Sequence, residues 1–417
     1  MSLYALFDGT RFYASAAEVY QPELRGRPIV VTGGKDGMII AANRKATDLG
    51  IKKFSPVFEF RGIIELKQVA VVEANFNLFG ALSNSMHSVI EAELPKSYRY
   101  SVDEIFADIT GICDPLQFMA DLRKKVFKET RLPIGAAASH NCTLAKAASW
   151  CAKKVPGYNG LCLLESDRDI DKILTMMPAS ELWGVGSRIA ARLNYMGINT
   201  AIQLKHADHK KMKHEFGKPI VSLIRELHGE RVLSWREGPE PKRQIYSTRS
   251  IRERLHSPAD LQQALAYHVH EVCEKARKQK SKVKKIQFFC SSSPYDSEQH
   301  RASVCASLDY ASNHTAVFLE LLTSAMPRLV PNGKFIPLYK IGVGAIDLSD
   351  CRFDQGDLFA PAEDNRLMSA LDNLNQRFGR HTLYLASQGN NMLGERVESA
   401  QLKNPLSRWS EIPIIHC

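Results

Sequence analysis

No Cys-x-x-Cys pair occurs in the 417 residues, and the nine cysteines (113, 142, 151, 162, 273, 290, 305, 351 and 417) are odd in number and scattered. A disulfide framework and a structural zinc site of ordinary spacing are therefore excluded, and a reducing, cytoplasmic setting fits. Long apolar runs are also missing. The first is broken by Asp8, and none approaches the roughly 18 residues of a membrane helix, so neither a signal peptide nor a membrane span is expected. What is present is a globular composition, 44% hydrophobic and 24% charged, in a chain too long for one ordinary core. Roughly three domains are expected from the length. A formal charge of +10 suits a polyanionic partner. A solvated surface alone can carry such charge, so its distribution matters more than its total.

The stretch that organises the chain is Tyr98 to Asp108, where the adjacent carboxylates Asp103 and Glu104 interrupt an apolar and aromatic run that reads as a buried strand or tight hairpin. Burying both ionised and unpaired would cost several kcal/mol, so the stretch asks for a cation, a divalent metal being the obvious one. Neighbouring residues of a regular strand point to opposite faces, and a bulge or turn at the pair would be needed for them to converge. An acidic hairpin corner in water is the plainer alternative.

A second carboxylate is placed in the same way near the N-terminus. Leu3 to Phe7 is an apolar run of strand length, Asp8-Gly9-Thr10 turns, and Arg11 to Glu18 begins a helical pattern. An Asp there can seat a metal or cap the helix. Asp8-Gly9-Thr10-Arg11-Phe12-Tyr13-Ala14, followed some 90 residues later by Ser101-Val102-Asp103-Glu104, resembles the catalytic signature of Y-family, translesion DNA polymerases. The resemblance implies that Asp8, Asp103 and Glu104 hold two Mg²⁺ ions, with the Gly9 carbonyl as a further ligand. It also puts Phe12 and Tyr13 at the nucleotide, Tyr13 as a steric gate under the incoming sugar. Otherwise Tyr13 is a core aromatic of the first helix.

Between Pro22 and Glu73 short β-rich runs, Pro28 to Val31 and Val69 to Val72, surround a helix-like stretch from Ala41 to Gly50. This resembles the family's fingers, where a helix offers a cation to the nucleotide phosphates. The sequence departs from the usual pattern: Thr47 stands where a basic residue is common and Arg44 where tyrosine is. Arg44 is the expected phosphate contact, since a guanidinium suits bidentate binding. Beyond it, Phe76 to Leu94, Leu116 to Thr130 and Asn141 to Lys154 read as helices and Pro133 to Ala138 as a strand, giving an α+β palm with helices on one face of its sheet. In the last helix Cys142 replaces a usual lysine, and Lys153 matches the family's triphosphate-binding lysine. The helix dipole would favour a lysine there in any case.

Residues 164–236 read as helical, with Leu182-Trp183-Gly184-Val185-Gly186-Ser187 as a helix-hairpin-helix whose Gly184 and Gly186 let backbone N–H groups approach a DNA phosphate. Glu237 to Pro241 is a linker. From Lys242 to Phe289 twelve Lys and Arg face four acids, so much of the excess charge lies in one domain. Its strand and helix runs follow a β-α-β-β-α-β order that resembles the family's little finger, with Arg249, Lys282 and Lys284 as expected contacts to DNA phosphates.

Near the end, Gln355, Leu358 and Phe359 resemble the peptide that docks bacterial polymerases on the β sliding clamp, and Asn375 to Gly389 resembles the C-terminal extension of UmuC-type subunits. The expectation is an α+β right-hand polymerase. Palm is at 1–21 and 74–163, fingers at 22–73, a helical thumb at 164–236, a four-stranded little finger at 242–349 and a tail at 350–417. It would join deoxynucleoside triphosphates to primer-template DNA, with a processed UmuD-type dimer and RecA as further partners implied by the family. A DinB-like polymerase without those partners, or a catalytically silent DNA- and clamp-binding subunit, are the alternatives.

Overall fold

The computed structural model describes residues 2–33, 37–233, 241–330, 335–353, 365–379 and 381–389. They divide into two compact units, one on either side of residue 238. The clamp-type residues Gln355, Leu358 and Phe359 lie outside the described residues.

The first unit opens with β1 (Tyr4–Gly9) and α1 (Phe12–Tyr20). β2 (Ile29–Thr32), β3 (Ile39–Ala42), α2 (Arg44–Asp48), α3 (Arg61–Leu66) and β4 (Ala70–Glu73) then build a small three-stranded sheet, β2 pairing antiparallel with β3 and parallel with β4. The helix expected from Ala41 begins only at Arg44. Ala41 and Ala42 pair with Val31 and Val30 instead, and Asn43 caps the short helix by accepting from the Ala46 N–H at 3.0 Å.

α4 (Phe76–Glu93), β5 (Ser97–Arg99), β6 (Glu104–Asp108), α5 (Pro115–Thr130), β7 (Ile134–Ser139), α6 (Cys142–Lys154) and β8 (Leu161–Leu163) complete a five-stranded sheet of order β5-β6-β1-β7-β8. All six residues of β1 are buried, as expected of a central strand covered on both sides. Ala5 and Phe7 face Met86 and Ile90 of α4 and Leu122 of α5, while Leu6 faces Cys142 and Ala145 of α6. The expectation of helices on one face is thus corrected: near-continuous apolar strands need two covers, and α6 is the second.

α7 (Asp167–Met176), α8 (Ser187–Tyr195), α9 (Ala201–Lys205), α10 (His209–Phe216) and α11 (Lys218–Leu227) pack on the outer side of α6, sharing a core with its Leu144, Ala148 and Cys151. A buried polar lock ties α6 to α11. Asn141 caps α6 and donates to the carbonyls of Glu226 (2.8 Å) and Glu230 (2.9 Å), and the fully buried Glu226 carboxylate accepts from the Thr143 hydroxyl and the Leu233 N–H (2.6 Å).

In the second unit β9 (Ile245–Leu255), α12 (Pro258–Lys278), β10 (Ser281–Ser291), β11 (Arg301–Ser312), α13 (Thr315–Leu329) and β12 (Leu338–Asp350) follow the expected order and form an antiparallel sheet, β11-β10-β12-β9. Phe288 and Val343 bury one face against α12 and α13. On the other face glycine is required: a Cβ at Gly344 would stand 2.2 Å from the Tyr246 ring, and one at Gly342 2.4 Å from that of Phe289. A further helix, α14 (Asn365–Phe378), was not expected within the tail. It belongs to this unit, held by Arg277, which donates to the Asp372 carboxylate at 2.7 and 2.8 Å. No helix among the described residues is long and apolar enough to cross a membrane.

The lock at Glu226 yields a stability prediction. Glu226→Ala strands the Thr143 hydroxyl and two backbone N–H groups without their acceptor, and should cost about 3 kcal/mol in chemical denaturation; Glu226→Gln, which keeps an acceptor, should cost less than half of that. Equal losses for the two variants would contradict the acceptor role.

Candidate active site

Antiparallel register does what the sequence only hinted at. Asp8, near the end of β1, stands directly opposite Glu104, the first residue of β6, so their side chains share a face of the sheet. Two like charges in that position repel, and both side chains are largely buried. α6 brings the compensation. Lys146 donates to both Glu104 oxygens at 2.7 Å, and Lys153, seven residues later on the same helix face, donates to Asp8 Oδ2 at 2.6 Å. Even so, the Asp8 carboxyl is pushed up to about 6, by burial above all and by Glu104 across the ladder, with Lys153 pulling the other way.

Asp103 occupies the hairpin turn, where its carbonyl accepts from the Gly9 N–H at 2.7 Å and its carboxylate from the Ser101 hydroxyl at 2.6 Å. It lies near Tyr13, whose hydroxyl is pushed up by burial and then by Asp103. The turn expected at the pair is present, and it sets Asp103 beside the ladder position at which Asp8 meets Glu104. Among the described residues no three His, Cys, Asp or Glu side chains close on one point. Carboxylates repel one another and here take ammonium or hydroxyl partners. The donor set nevertheless fits a hard divalent cation, being all oxygen and including a carboxyl held above its ordinary range, chiefly by burial.

Around this centre, Tyr13 is half-buried, its ring 5.1 Å from Phe79 and 6.0 Å from Phe76. Phe12 is buried at 3% exposure and packs beneath Gly9, where a Cβ would stand 3.0 Å from it. Arg44 is exposed, 4.0 Å from Asp48. Thr47 donates to the Asn43 carbonyl and accepts from Arg11 Nη1 at 2.8 Å. Cys142 is core, its thiol pushed up to about 12 by burial and then by Glu226, so the cations this helix brings to the carboxylates are Lys146 and Lys153.

Lys146 and Arg11 were missed in the sequence. Lys146 also lies 4.6 Å from the Tyr100 ring centre and 5.7 Å from that of Trp183, whose indole N–H donates to the Tyr100 hydroxyl at 3.0 Å. Its i, i+7 spacing from Lys153 was the available signal. Trp183 belongs to the glycine loop, in which Gly184 has φ +90°, a conformation that favours glycine, and Gly186 precedes α8.

In the second unit Lys284 is exposed at a bulge of β10, and Lys282 is half-buried. Arg249 shares the strand parity of the inward-facing Ser247 and Ile251 and acts with burial to lower His268 to about 4. It is thus corrected to the helix side of the sheet, because a strand has a period of two.

Asp8 generates a pH prediction. Its folded pKa of about 6 exceeds the ordinary 3.8. Ionised Asp8 therefore costs stability above the folded value, and the cost vanishes as pH falls from about 6 to about 4. With divalent ions chelated, Asp8→Asn should be more stable than the parent at pH 8 by on the order of 2 kcal/mol, the gap closing by about pH 4. A gap independent of pH in denaturant titrations would refute the assignment.

The impB/mucB/samB family profile matches residues 7–150, that family's C-terminal domain matches residues 242–358, and a domain of unknown function, DUF4113, matches residues 365–397. The chain is 31% identical to Protein MucB of Salmonella typhimurium, over 99% of each chain. It is also 31% identical to Protein UmuC of Salmonella typhimurium strain LT2, over 93% of this chain and 94% of that one. A solved Y-family DNA polymerase chimera of Dbh and Dpo4 superposes with a TM-score of 0.66 at 18% identity, covering 82% of this chain and 98% of that one, which supports the fold. With both halves of the carboxylate signature on one sheet and relatives spanning its whole length, the chain belongs to the impB/mucB/samB family and is a Y-family DNA-directed DNA polymerase of the UmuC/MucB type.

Proposed function

We propose that the chain adds deoxynucleotides to a primer end opposite damaged template, with low fidelity, as part of SOS-type damage tolerance. The observation that carries this reading is the Asp8–Glu104 pair on adjacent strands, with Asp103 one residue on in the turn. Asp8, Asp103, Glu104 and the Gly9 carbonyl are the residues that would hold Mg²⁺. Bound Mg²⁺ supplies a lowered pKa for the primer 3′-hydroxyl and neutralises charge that develops on the triphosphate.

The chain's own groups do the rest. Lys146 and Lys153 hold Glu104 and Asp8 in place, and Lys153, 43% exposed, can pass to a phosphate when a cation takes its place on Asp8. Tyr13, backed by Phe79, offers a fixed ring edge that excludes a 2′-hydroxyl by volume. In this reading residues 1–21 and 74–163 are the palm, 22–73 the fingers, 164–236 the thumb and 242–349 the little finger. The loop at Gly184 and Gly186 and the basic strand at Lys282 and Lys284 grip primer-template DNA without reading sequence. Gln355, Leu358 and Phe359 dock the β clamp, and a processed UmuD-type dimer and RecA complete the active assembly.

Asp8→Ala, Asp103→Ala and Glu104→Ala should each reduce single-nucleotide addition by at least about a thousandfold while primer-template affinity stays within about threefold. Near-normal extension by Asp103→Ala, in the presence of Mg²⁺ and accessory proteins, would sink the reading.

A further inference from the structure

The start of α1 and the start of α2 carry two arginines, Arg11 and Arg44, that feel each other's charge, with Asp48 nearby. Arg11, three residues beyond Asp8, sends Nη1 across to the Ala42 carbonyl (2.7 Å) and the Thr47 hydroxyl (2.8 Å). Burial above all holds the Arg11 guanidinium below its ordinary value; Asp48 pulls it back up, and Arg44, a smaller influence than Asp48, adds to the lowering. The ion pair of Arg44 with Asp48 spans 4.0 Å between side chains that are 86% and 68% exposed, a geometry worth little in water. Two arginines against one exposed acid leave a positive balance there, which suits an anion.

We propose that Arg11 supplies the guanidinium that grips the triphosphate of the incoming nucleotide, with Thr47 as the residue that aims it; this rests on the nucleotidyl-transfer reading above. Thr47 itself cannot offer a charge. Its hydroxyl hydrogen is spent on the Asn43 carbonyl, so its oxygen is left to accept from Arg11 and fix the guanidinium plane. A guanidinium carries five donors in a rigid fork. Nη1 is committed, and Nε and Nη2 make no hydrogen bond to the described residues, leaving the edge that binds two phosphate oxygens at once. Reach is adequate, because three residues of chain put the Arg11 backbone at most about 11 Å from that of Asp8. The backbone supports the assignment as well: Arg11 has φ 49° and ψ 45°, a left-handed conformation that bulky side chains seldom adopt and that concentrates at ligand clamps. The position left without a cation on α2 is thus served from the start of α1.

Equilibrium binding tests this without catalysis. The full chain is placed on a primer-template with a dideoxy-terminated primer, Ca²⁺ replaces Mg²⁺, and the affinity for the complementary deoxynucleoside triphosphate is measured. Arg11→Ala should weaken Kd at least tenfold, and Arg11→Ala with Thr47→Arg should bring it back to within threefold of the parent, since the second change delivers a guanidinium to the same place from α2. Thr47→Val, which leaves the Arg11 backbone untouched, should weaken Kd severalfold and serves if Arg11→Ala does not fold. A Kd for Arg11→Ala or Thr47→Val within twofold of the parent overturns the proposal. So does a loss that Thr47→Arg fails to reverse in folded protein, which would make Arg11 a tie between α1 and α2. If the parent itself shows no preference for the complementary nucleotide, the polymerase reading fails instead.

Discussion

Everything at the centre of the first unit depends on two carboxylates placed opposite each other across an antiparallel ladder. Asp8 and Glu104 could not occupy that register in an ordinary core, since like charges directly opposite are unfavourable and burial raises the cost of each. The arrangement persists because α6 crosses the same face and presents Lys146 and Lys153 two turns apart. α6 is in turn fixed at its N-terminus by Asn141 and by the buried Glu226 of α11. The helical region is therefore part of the site's support, and its glycine loop reaches the hairpin through Trp183 and Tyr100.

Much of this was legible in the sequence. The apolar run ending at Asp8 and the aromatic run interrupted at Asp103-Glu104 marked two strands with carboxylates at matching ends. The β-α-β-β-α-β order of the second unit followed from alternating periodicities, and the Gly342 and Gly344 positions now explain how two rings can lie against that sheet. Register was not legible. Nothing in the string of residues says that Asp8 faces Glu104 and not Asp103; that pairing comes from the hairpin turn and the Gly9 N–H on the Asp103 carbonyl.

Other misses have the same origin. Lys146 and Arg11 act through partners 42 and 36 residues away in sequence, so local pattern could not assign them. Ala41 and Ala42 suit a helix by propensity, yet pairing with β2 took them into a strand. Arg249 looked like a surface cation until strand parity turned it towards α12. α14 carries buried Met368 and Leu371 and went unread because a partner that holds it, Arg277 on Asp372, lies 95 residues away in sequence.

The central claim is that Lys146 and Lys153 stand in for metal charge, so that a divalent ion must displace an ammonium to reach these carboxylates. Titrating Mn²⁺ into the full chain without DNA, and comparing the parent with Lys146→Gln, tests this most directly. Removing the competing ammonium from Glu104 should tighten Mn²⁺ binding by about tenfold, equivalent to about 1.4 kcal/mol. Unchanged or weaker binding by Lys146→Gln would contradict the account.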